Sequence, residues 1–214
     1  MRNRFDQQLF ELNKDIIQMG ALCEEAIAKA AKSLIDMDKT LAEEIKANSP
    51  AIDQMERTIE SRCMKLLLHQ QPVAKDLRLI SAALKMITDM ERIGDQAEDI
   101  AEIVCGMQPN KHSIMQQIEN MAKETTVMVT KSVDSFVKKD VEIAEEVISN
   151  DDVVDDCFSK IKHDIINLIA ENPDNGEFAL DLLMISKYFE RIGDHATNIA
   201  EWVIYSVTGT HKEV

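Results

Sequence analysis

Aromatic residues, glycine, proline and basic charge are all scarce in this chain of 214 residues. Aromatics make up 4% of it, and it has 6 Gly and 4 Pro. Because Gly and Pro interrupt regular structure, their scarcity leaves room for long helices. Lys and Arg number 24 against 39 Asp and Glu, which gives a formal charge of −15. This balance argues against binding to a nucleic-acid backbone, which requires clustered Lys and Arg, and favours a surface that attracts cations.

Closely spaced cysteines and long apolar runs are also missing. Cys23, Cys63, Cys105 and Cys157 contain no Cys-x-x-Cys pair, so neither a zinc ribbon nor a thioredoxin motif is present. Reduced, mostly buried thiols in a cytoplasmic protein are expected. The N-terminal residues lack the apolar core of a signal peptide, and no run approaches the ~20 apolar residues of a membrane span. Any membrane contact is therefore expected to be peripheral or through a partner protein.

The chain is internally duplicated. The peptide Glu-Arg-Ile-Gly-Asp occupies residues 91–95 and occurs again at 190–194. Residues 28–68 also align without a gap with residues 130–170. The two offsets, 102 and 99, differ by three residues, which a deletion in the loop near Pro72 and Pro173 explains. Repeats of this length are small domains rather than the units of a solenoid.

Apolar residues recur with a helical period in both repeats. In the first, Leu12, Ile16, Met19 and Cys23 are separated by three or four positions, and no window shows sustained strand alternation. Together with the prolines, this period predicts three helices per repeat. The predicted helices are 4–37, 40–70 and 73–106, followed by 112–138, 140–171 and 176–208.

The predicted fold is all-α, with two tandem, antiparallel three-helix bundles that together contain six long helices. The first bundle is assigned to residues 1–107 and the second to 111–210. One polar cluster interrupts the second helix of each bundle. Residues 48–50 read Asn-Ser-Pro and residues 150–152 read Asn-Asp-Asp, and each cluster predicts a restart or a kink.

Acidic residues line one face of the third helix in each repeat. The first copy has Glu91, Asp95, Asp99 and Glu102, and the second has Glu190, Asp194, Asn198 and Glu201. Like charges one turn apart destabilise a helix by a few tenths of a kcal/mol, and a Gly within the helix adds about 1 kcal/mol. Because these costs recur in both copies, we infer that a bound cation offsets the repulsion and that the glycine lets a neighbouring helix approach. A merely solvated acidic face is the alternative.

The second helix can supply further ligands. Asp151 and Asp155 stand one turn apart in the second repeat, whereas the equivalent positions in the first are Ser49 and Asp53. Carboxylate oxygens suit hard cations such as Mg²⁺, Ca²⁺ and Mn²⁺, and they also hold iron. Zinc remains possible, and the residues alone do not choose among these metals.

Other metal chemistries find less support. Ferritin-like di-iron bundles use Glu-x-x-His, and zinc hydrolases use His-Glu-x-x-His, and neither motif occurs. His195 adjoins Asp194 and could be an accessory ligand, but a role in helix packing is the simpler interpretation. Arg92 and Arg191 are interpreted as ion-pair partners within or between helices.

These motifs resemble those of the PhoU family, which acts in phosphate signalling. The resemblance rests on the doubled Glu-Arg-Ile-Gly-Asp-x-Ala, on Asp-x-x-Leu-Ala-Glu-Glu-Ile at 38–45 and on Gln-Pro-Val-Ala-x-Asp-Leu-Arg at 71–78. It covers nearly the whole chain. It implies two three-helix bundles, one per repeat, and homodimers are common in the family.

The resemblance also implies metal ions bound through paired acidic motifs. The first site would use Glu91 and Asp95 with Asp53. The second would use Glu190 and Asp194 with Asp151 and Asp155. Because Ser49 departs from the acidic pattern, the second site is predicted to be the better one.

The function implied by the resemblance is that of a non-enzymatic adaptor and negative regulator of the phosphate-starvation response. Its partners would be a sensor histidine kinase and the ATPase subunit of the phosphate ABC transporter. A metal-dependent enzyme that uses the carboxylate-bound ion for hydrolysis or redox chemistry is the alternative, since a metal lowers the pKa of bound water. A purely structural bundle is the third possibility.

Overall fold

The computed structural model describes residues 2–70 and 73–210, and within these ranges it contains helices and no strands. The all-α prediction is confirmed. Residues 71 and 72, in the first of the two loops where the deletion is predicted, lie outside the described residues. The helices are α1 Arg2–Asp36, α2 Lys39–Asn48, α3 Pro50–Gln70, α4 Ala74–Gly106, α5 Ile114–Lys138, α6 Val141–Glu171 and α7 Gly176–Thr208, with a short 3₁₀ turn at Pro173–Asn175 before α7.

The turn between the first two helices is built in the same way in both repeats. Met37 and Lys139 hold equivalent positions and adopt the left-handed backbone conformation, with φ of 53° and 56°. Each is followed by an aspartate that caps the next helix. Asp38 accepts a hydrogen bond from the backbone N–H of Leu41 at 3.0 Å, and Asp140 accepts one from Glu142 at 3.0 Å. The duplicated sequence therefore specifies a duplicated turn.

The second arm of each bundle, which comprises α2 and α3 in the first repeat and α6 in the second, differs between the repeats. In the first, α2 ends at Asn48 and α3 begins at Pro50, so the predicted break is confirmed. In the second, α6 runs unbroken through residues 150–152, so the predicted restart there is wrong. The reason is that Asp152 takes the place of Pro50. Unlike Pro, it carries a backbone N–H and can continue the helical hydrogen bonds.

The two repeats share one hydrophobic core, which α4 and α7 cross side by side. These two helices pack on each other more extensively than any other pair, and α1 also packs on α5. Lys85 lies 6.0 Å from the ring centre of Trp202, and Asp89 accepts a hydrogen bond from Asn198 at 3.1 Å. Lys85 contacts Trp202, whereas Asp89, one turn later on α4, contacts Asn198, one turn earlier on α7. The helices α4 and α7 are therefore antiparallel. Helical periodicity alone could not predict this pairing.

The four cysteines are free thiols. Cys23 and Cys63 are buried, and burial raises the pKa of each thiol to about 12, so both are protonated and unreactive at neutral pH. Among the described helices, none combines the length and the apolar character that crossing a membrane requires.

Candidate functional site

Three carboxylates converge where α3 meets α4. Asp53 comes from α3, and Glu91 and Asp95 come from consecutive turns of α4. One ligand oxygen from each lies within 4.8 Å of the other two, and all three side chains are partly buried. Among the described residues, this is the one group of three or more His, Cys, Asp or Glu that meets this distance. The structure thus brings together all three residues of the first predicted site.

Gly94 makes this convergence possible. A Cβ atom at this position would lie 2.8 Å from Cδ1 and 3.2 Å from Cγ2 of Ile52, the residue before Asp53. Ile52 is buried, so α3 rests directly on the bare backbone of α4. The glycine inside the helix, which costs stability locally, therefore permits the close approach of Asp53 to Glu91 and Asp95.

The electrostatics of this cluster reflect crowded negative charge. Burial, Asp95, Glu56 and Asp53 raise the pKa of the Glu91 carboxyl, and the Arg92 guanidinium opposes them. The Arg92 Nη1 donates to Asp95 Oδ2 at 3.1 Å, and its Nε lies 3.4 Å from Glu91 Oε2. Arg92 is thus an ion-pair partner within its own helix, as its sequence position suggested.

Glu56 is a neighbour of the cluster that sequence reasoning missed. Burial, Glu60 and Asp53 raise the pKa of its carboxyl, while a hydrogen bond with Thr88 lowers it. Its position one turn after Asp53 was the available signal. The second repeat has Phe158 at the equivalent position, so this carboxylate is not part of the duplicated acidic pattern.

The four carboxylates of the second predicted site are neighbours, but they do not meet the 4.8 Å distance. Burial, Asp194 and Asp155 raise the pKa of Asp151 to about 6. Burial and Glu190 raise the pKa of Asp194. The Oδ1 atom of Asp151 would lie 3.4 Å from a Cβ atom at Gly193, so α6 and α7 are in ordinary van der Waals contact here. The prediction that this site binds metal better than the first stays a prediction.

A lysine contacts the second acidic group. The Lys187 ammonium forms an ion pair with Glu190, whose side chain is 13% exposed. The same ammonium lies 5.4 Å from the ring centre of Phe158 on α6. The first repeat has Thr88 at the position of Lys187, so this cation beside the acidic group belongs to the second copy alone.

The outer members of the two acidic faces serve the packing of α4 on α7. His195 Nδ1 lies 2.9 Å from Asp89 Oδ1, and Asn198 donates to the same oxygen. His195 is therefore engaged in helix packing, the simpler of its two interpretations. Burial, Asp95 and Glu102 raise the pKa of Asp99, and Arg191 from the other repeat lowers it. Arg191 is thus an electrostatic partner between helices.

The first cluster fits a hard cation. It offers oxygen ligands only, and carboxylate oxygens that bind one ion at 2.0–2.6 Å lie within about 5 Å of each other. Neutralisation by a cation would also remove the repulsion that raises the pKa of Glu91. Asp53, Glu91 and Asp95 would hold such an ion. The metal would supply positive charge and, if water completes its shell, a more acidic water molecule.

The fold and the site define the class of this protein. It is a duplicated all-α protein in which the paired helices α4 and α7 each carry an acidic segment with a glycine. The family model for the PhoU domain matches this chain twice, at residues 16–104 and 118–203. The chain belongs to the PhoU family.

Relatives match the chain along its whole length. A phosphate-specific transport system accessory protein PhoU homolog from Clostridium acetobutylicum is 36% identical, with 100% of this chain and 98% of the relative covered. The crystal structure of PhoU from Pseudomonas aeruginosa is similar with a TM-score of 0.89 at 33% identity, and it covers 96% of this chain and 100% of that one. The structure of the phosphate transport system regulatory protein PhoU from Streptococcus pneumoniae has a TM-score of 0.91 at 28% identity, over 98% and 100% of the two chains.

Proposed function

We propose that this chain is a non-enzymatic regulatory adaptor that represses the phosphate-starvation response. It couples the ATPase subunit of a phosphate ABC transporter to a sensor histidine kinase, and it acts in the cytoplasm as a homodimer. The observation that carries this proposal is the match over the full chain to relatives named as phosphate-specific transport system accessory proteins. The family names describe an accessory role, and the adaptor supplies that role through contacts of its helix faces.

The carboxylate clusters bind metal ions in this proposal. Asp53, Glu91 and Asp95 hold an ion in the first repeat, where the three side chains already converge. The second set comprises Asp151, Asp155, Glu190 and Asp194. The ion is Mg²⁺, Mn²⁺, Ca²⁺, Zn²⁺ or an iron ion, and its charge changes the surface that the adaptor presents to its partners.

Elemental analysis of the purified protein tests the metal sites. The wild type is compared with Glu91→Gln/Asp95→Asn and with Glu190→Gln/Asp194→Asn, and each pair is expected to lose the metal of its own repeat. Glu142→Gln/Glu145→Gln, on the exposed face of α6, removes the same charge and is expected to retain both metals. Metal content that is equal in all four proteins would refute these sites.

A reporter of the phosphate-starvation response tests the adaptor role. In cells that lack their own PhoU protein, the wild-type chain is expected to silence the reporter at high phosphate. Derepression by a variant that has lost its metal would tie the acidic clusters to signalling. The purified chain is expected to show no turnover of phosphate esters. Metal-dependent turnover that Asp194→Asn abolishes would replace the adaptor with the metalloenzyme.

A further inference from the structure

A basic groove runs along α3 on the side that faces α1, separate from the carboxylate cluster. Its volume is about 390 Å³, within the range of small-molecule sites. Three cations line it, namely Arg57, Arg62 and Lys65. The remaining lining residues are hydroxyl and amide side chains, and no carboxylate is among them. This composition is unusual in a chain with a formal charge of −15.

One cation of this basic groove is fixed in orientation by an ion pair, and the other two are exposed and can contact a ligand. Arg62 Nε donates to Asp15 of α1 at 2.6 Å, and this ion pair fixes the orientation of its guanidinium. A guanidinium has five N–H donors, so one bond leaves donors for a ligand. Arg57 and Lys65 are exposed, and neither lies within 4.0 Å of a carboxylate oxygen among the described residues. Neither charge is therefore held in an ion pair, and Arg57 acts on a carboxylate only at longer range, where it lowers the pKa of Glu56.

Comparison of the repeats shows that packing does not require Arg57 or Lys65, whereas the bond of Arg62 with Asp15 has a counterpart in the hydrogen bond of Gln117 with Asp164. The positions of Arg57, Arg62 and Lys65 are occupied in the second repeat by Ser159, Asp164 and Asn167. The second repeat forms its long helix α6 with these residues. The same fold thus accepts an uncharged or acidic face at this place. The basic groove is a property of the first copy alone, as expected of a ligand site acquired or kept after duplication.

From the charge, the donors and the size of the groove, we propose that it binds a phosphate-type oxyanion. Guanidinium and ammonium groups form strong, charge-assisted hydrogen bonds with phosphate oxygens, and Ser61 and Gln54 add neutral donors. The lining from residue 54 to residue 65 extends about 16 Å along the helix, which is long enough for several phosphoryl groups. The ligand is free orthophosphate, or an oligophosphate that carries the same group. It binds without the help of the carboxylate cluster or its metal.

Titration calorimetry of the full chain tests this site. The protein is freed of metal with a chelator, because bound metal could itself attract phosphate. Orthophosphate, pyrophosphate and tripolyphosphate are titrated at constant ionic strength. The wild type is expected to bind one ligand per chain, and Arg57→Gln/Lys65→Gln is expected to weaken binding about tenfold or more. Arg62 is left unchanged because its ion pair joins α3 to α1.

The matched control is Lys160→Gln/Lys162→Gln, which removes two exposed charges from α6. It is expected to retain wild-type affinity. Equal affinity for the three anions identifies free phosphate as the ligand, whereas affinity that rises with chain length identifies an oligophosphate, and both results support the site. Three results would overturn it: no binding by the wild type at millimolar anion, equal weakening in the control, or unchanged binding in Arg57→Gln/Lys65→Gln. None of these results bears on the metal content of the Glu91 and Asp95 variants.

Discussion

Gly94 and Gly193 occupy equivalent positions, yet the two have unequal surroundings. A Cβ atom at Gly94 would lie 2.8 Å from Ile52, which is closer than real contacts allow. At Gly193 the nearest atoms would lie 3.4 Å away, an ordinary contact distance. The same residue type therefore meets a steric requirement in the first repeat and none in the second.

Substitution of each glycine by alanine separates helix propensity from packing. Both variants gain about 1 kcal/mol of helix propensity, while Gly94→Ala alone forces Ile52 away at a cost of roughly 1–3 kcal/mol. Gly94→Ala is therefore expected to be less stable than Gly193→Ala by about that amount. Urea unfolding followed by circular dichroism measures the difference. Equal stability of the two variants would mean that α3 moves aside freely.

Lys187 is a difference between the repeats that is expected to affect metal binding at the second acidic group. Its ion pair with Glu190 engages one carboxylate of the second group. Lys187→Thr, which installs the residue type of Thr88, is expected to tighten Mn²⁺ binding at the second site roughly two- to fivefold. Calorimetric titration of Mn²⁺ measures this change. Lys160→Thr removes the same charge from the exposed side of α6 and is expected to change nothing, so a similar gain there would contradict the role of Lys187.

At the scale of elements, the contribution of the contact between α6 and α7 to the free energy of unfolding depends on pH. The folded protein raises the pKa of Asp151 from 3.8 to about 6, so the folded state holds this proton more tightly than the unfolded chain does. Stability therefore falls as pH rises from about 4 to 6. The penalty is absent below 3.8 and fully present above about 6.

Asp151→Asn removes this penalty. Metal-free Asp151→Asn is expected to be more stable than the wild type by about 1 kcal/mol at pH 7, after allowance for solvent screening, with the gap closing towards pH 4. Its metal affinity is expected to fall, because a ligand oxygen is lost. Urea unfolding at the two pH values tests the first expectation. Asp156→Asn, on the exposed side of α6, is expected to change stability by less than about 0.5 kcal/mol.

The elements themselves could be predicted from the sequence to different degrees. Helical period and prolines place every helix within about two residues of its observed ends, because each helix buries one apolar face. The acidic pairs could also be predicted, since residues one turn apart share a face. The ion pair of Lys187 and the neighbourhood of Glu56 could not, because both depend on how two helices are rotated against each other. The unbroken α6 was missed because capping residues also occur inside helices.

At the scale of the molecule, the core predicts a single unfolding unit. Asp89 joins the repeats by accepting hydrogen bonds from His195 and Asn198. The single tryptophan, Trp202, reports on α7, whereas far-ultraviolet circular dichroism reports on all helices. Because the repeats share one core, the two signals are expected to change at the same urea concentration.

Asp89→Ala leaves the partly buried His195 ring and the exposed Asn198 amide without their common partner and is expected to cost about 1–2 kcal/mol. Both signals are expected to shift together in this variant. Asp134→Ala, which removes an exposed ion pair with Lys138, is expected to cost less than about 1 kcal/mol. Separate transitions for tryptophan fluorescence and circular dichroism would show that the two bundles unfold independently.

The difference between the broken arm α2–α3 and the unbroken arm α6 bears on how a complex is oriented. A partner that recognised only the doubled Glu-Arg-Ile-Gly-Asp segment could bind this chain in two orientations, related by exchange of the halves. The break at Ser49 divides one arm into two helices, α2 and α3, whereas the other arm is the single helix α6. Any partner that touches an arm therefore tells the halves apart and binds in one orientation only. Divergence of the two arms after duplication therefore allows a partner to distinguish the first half of the chain from the second.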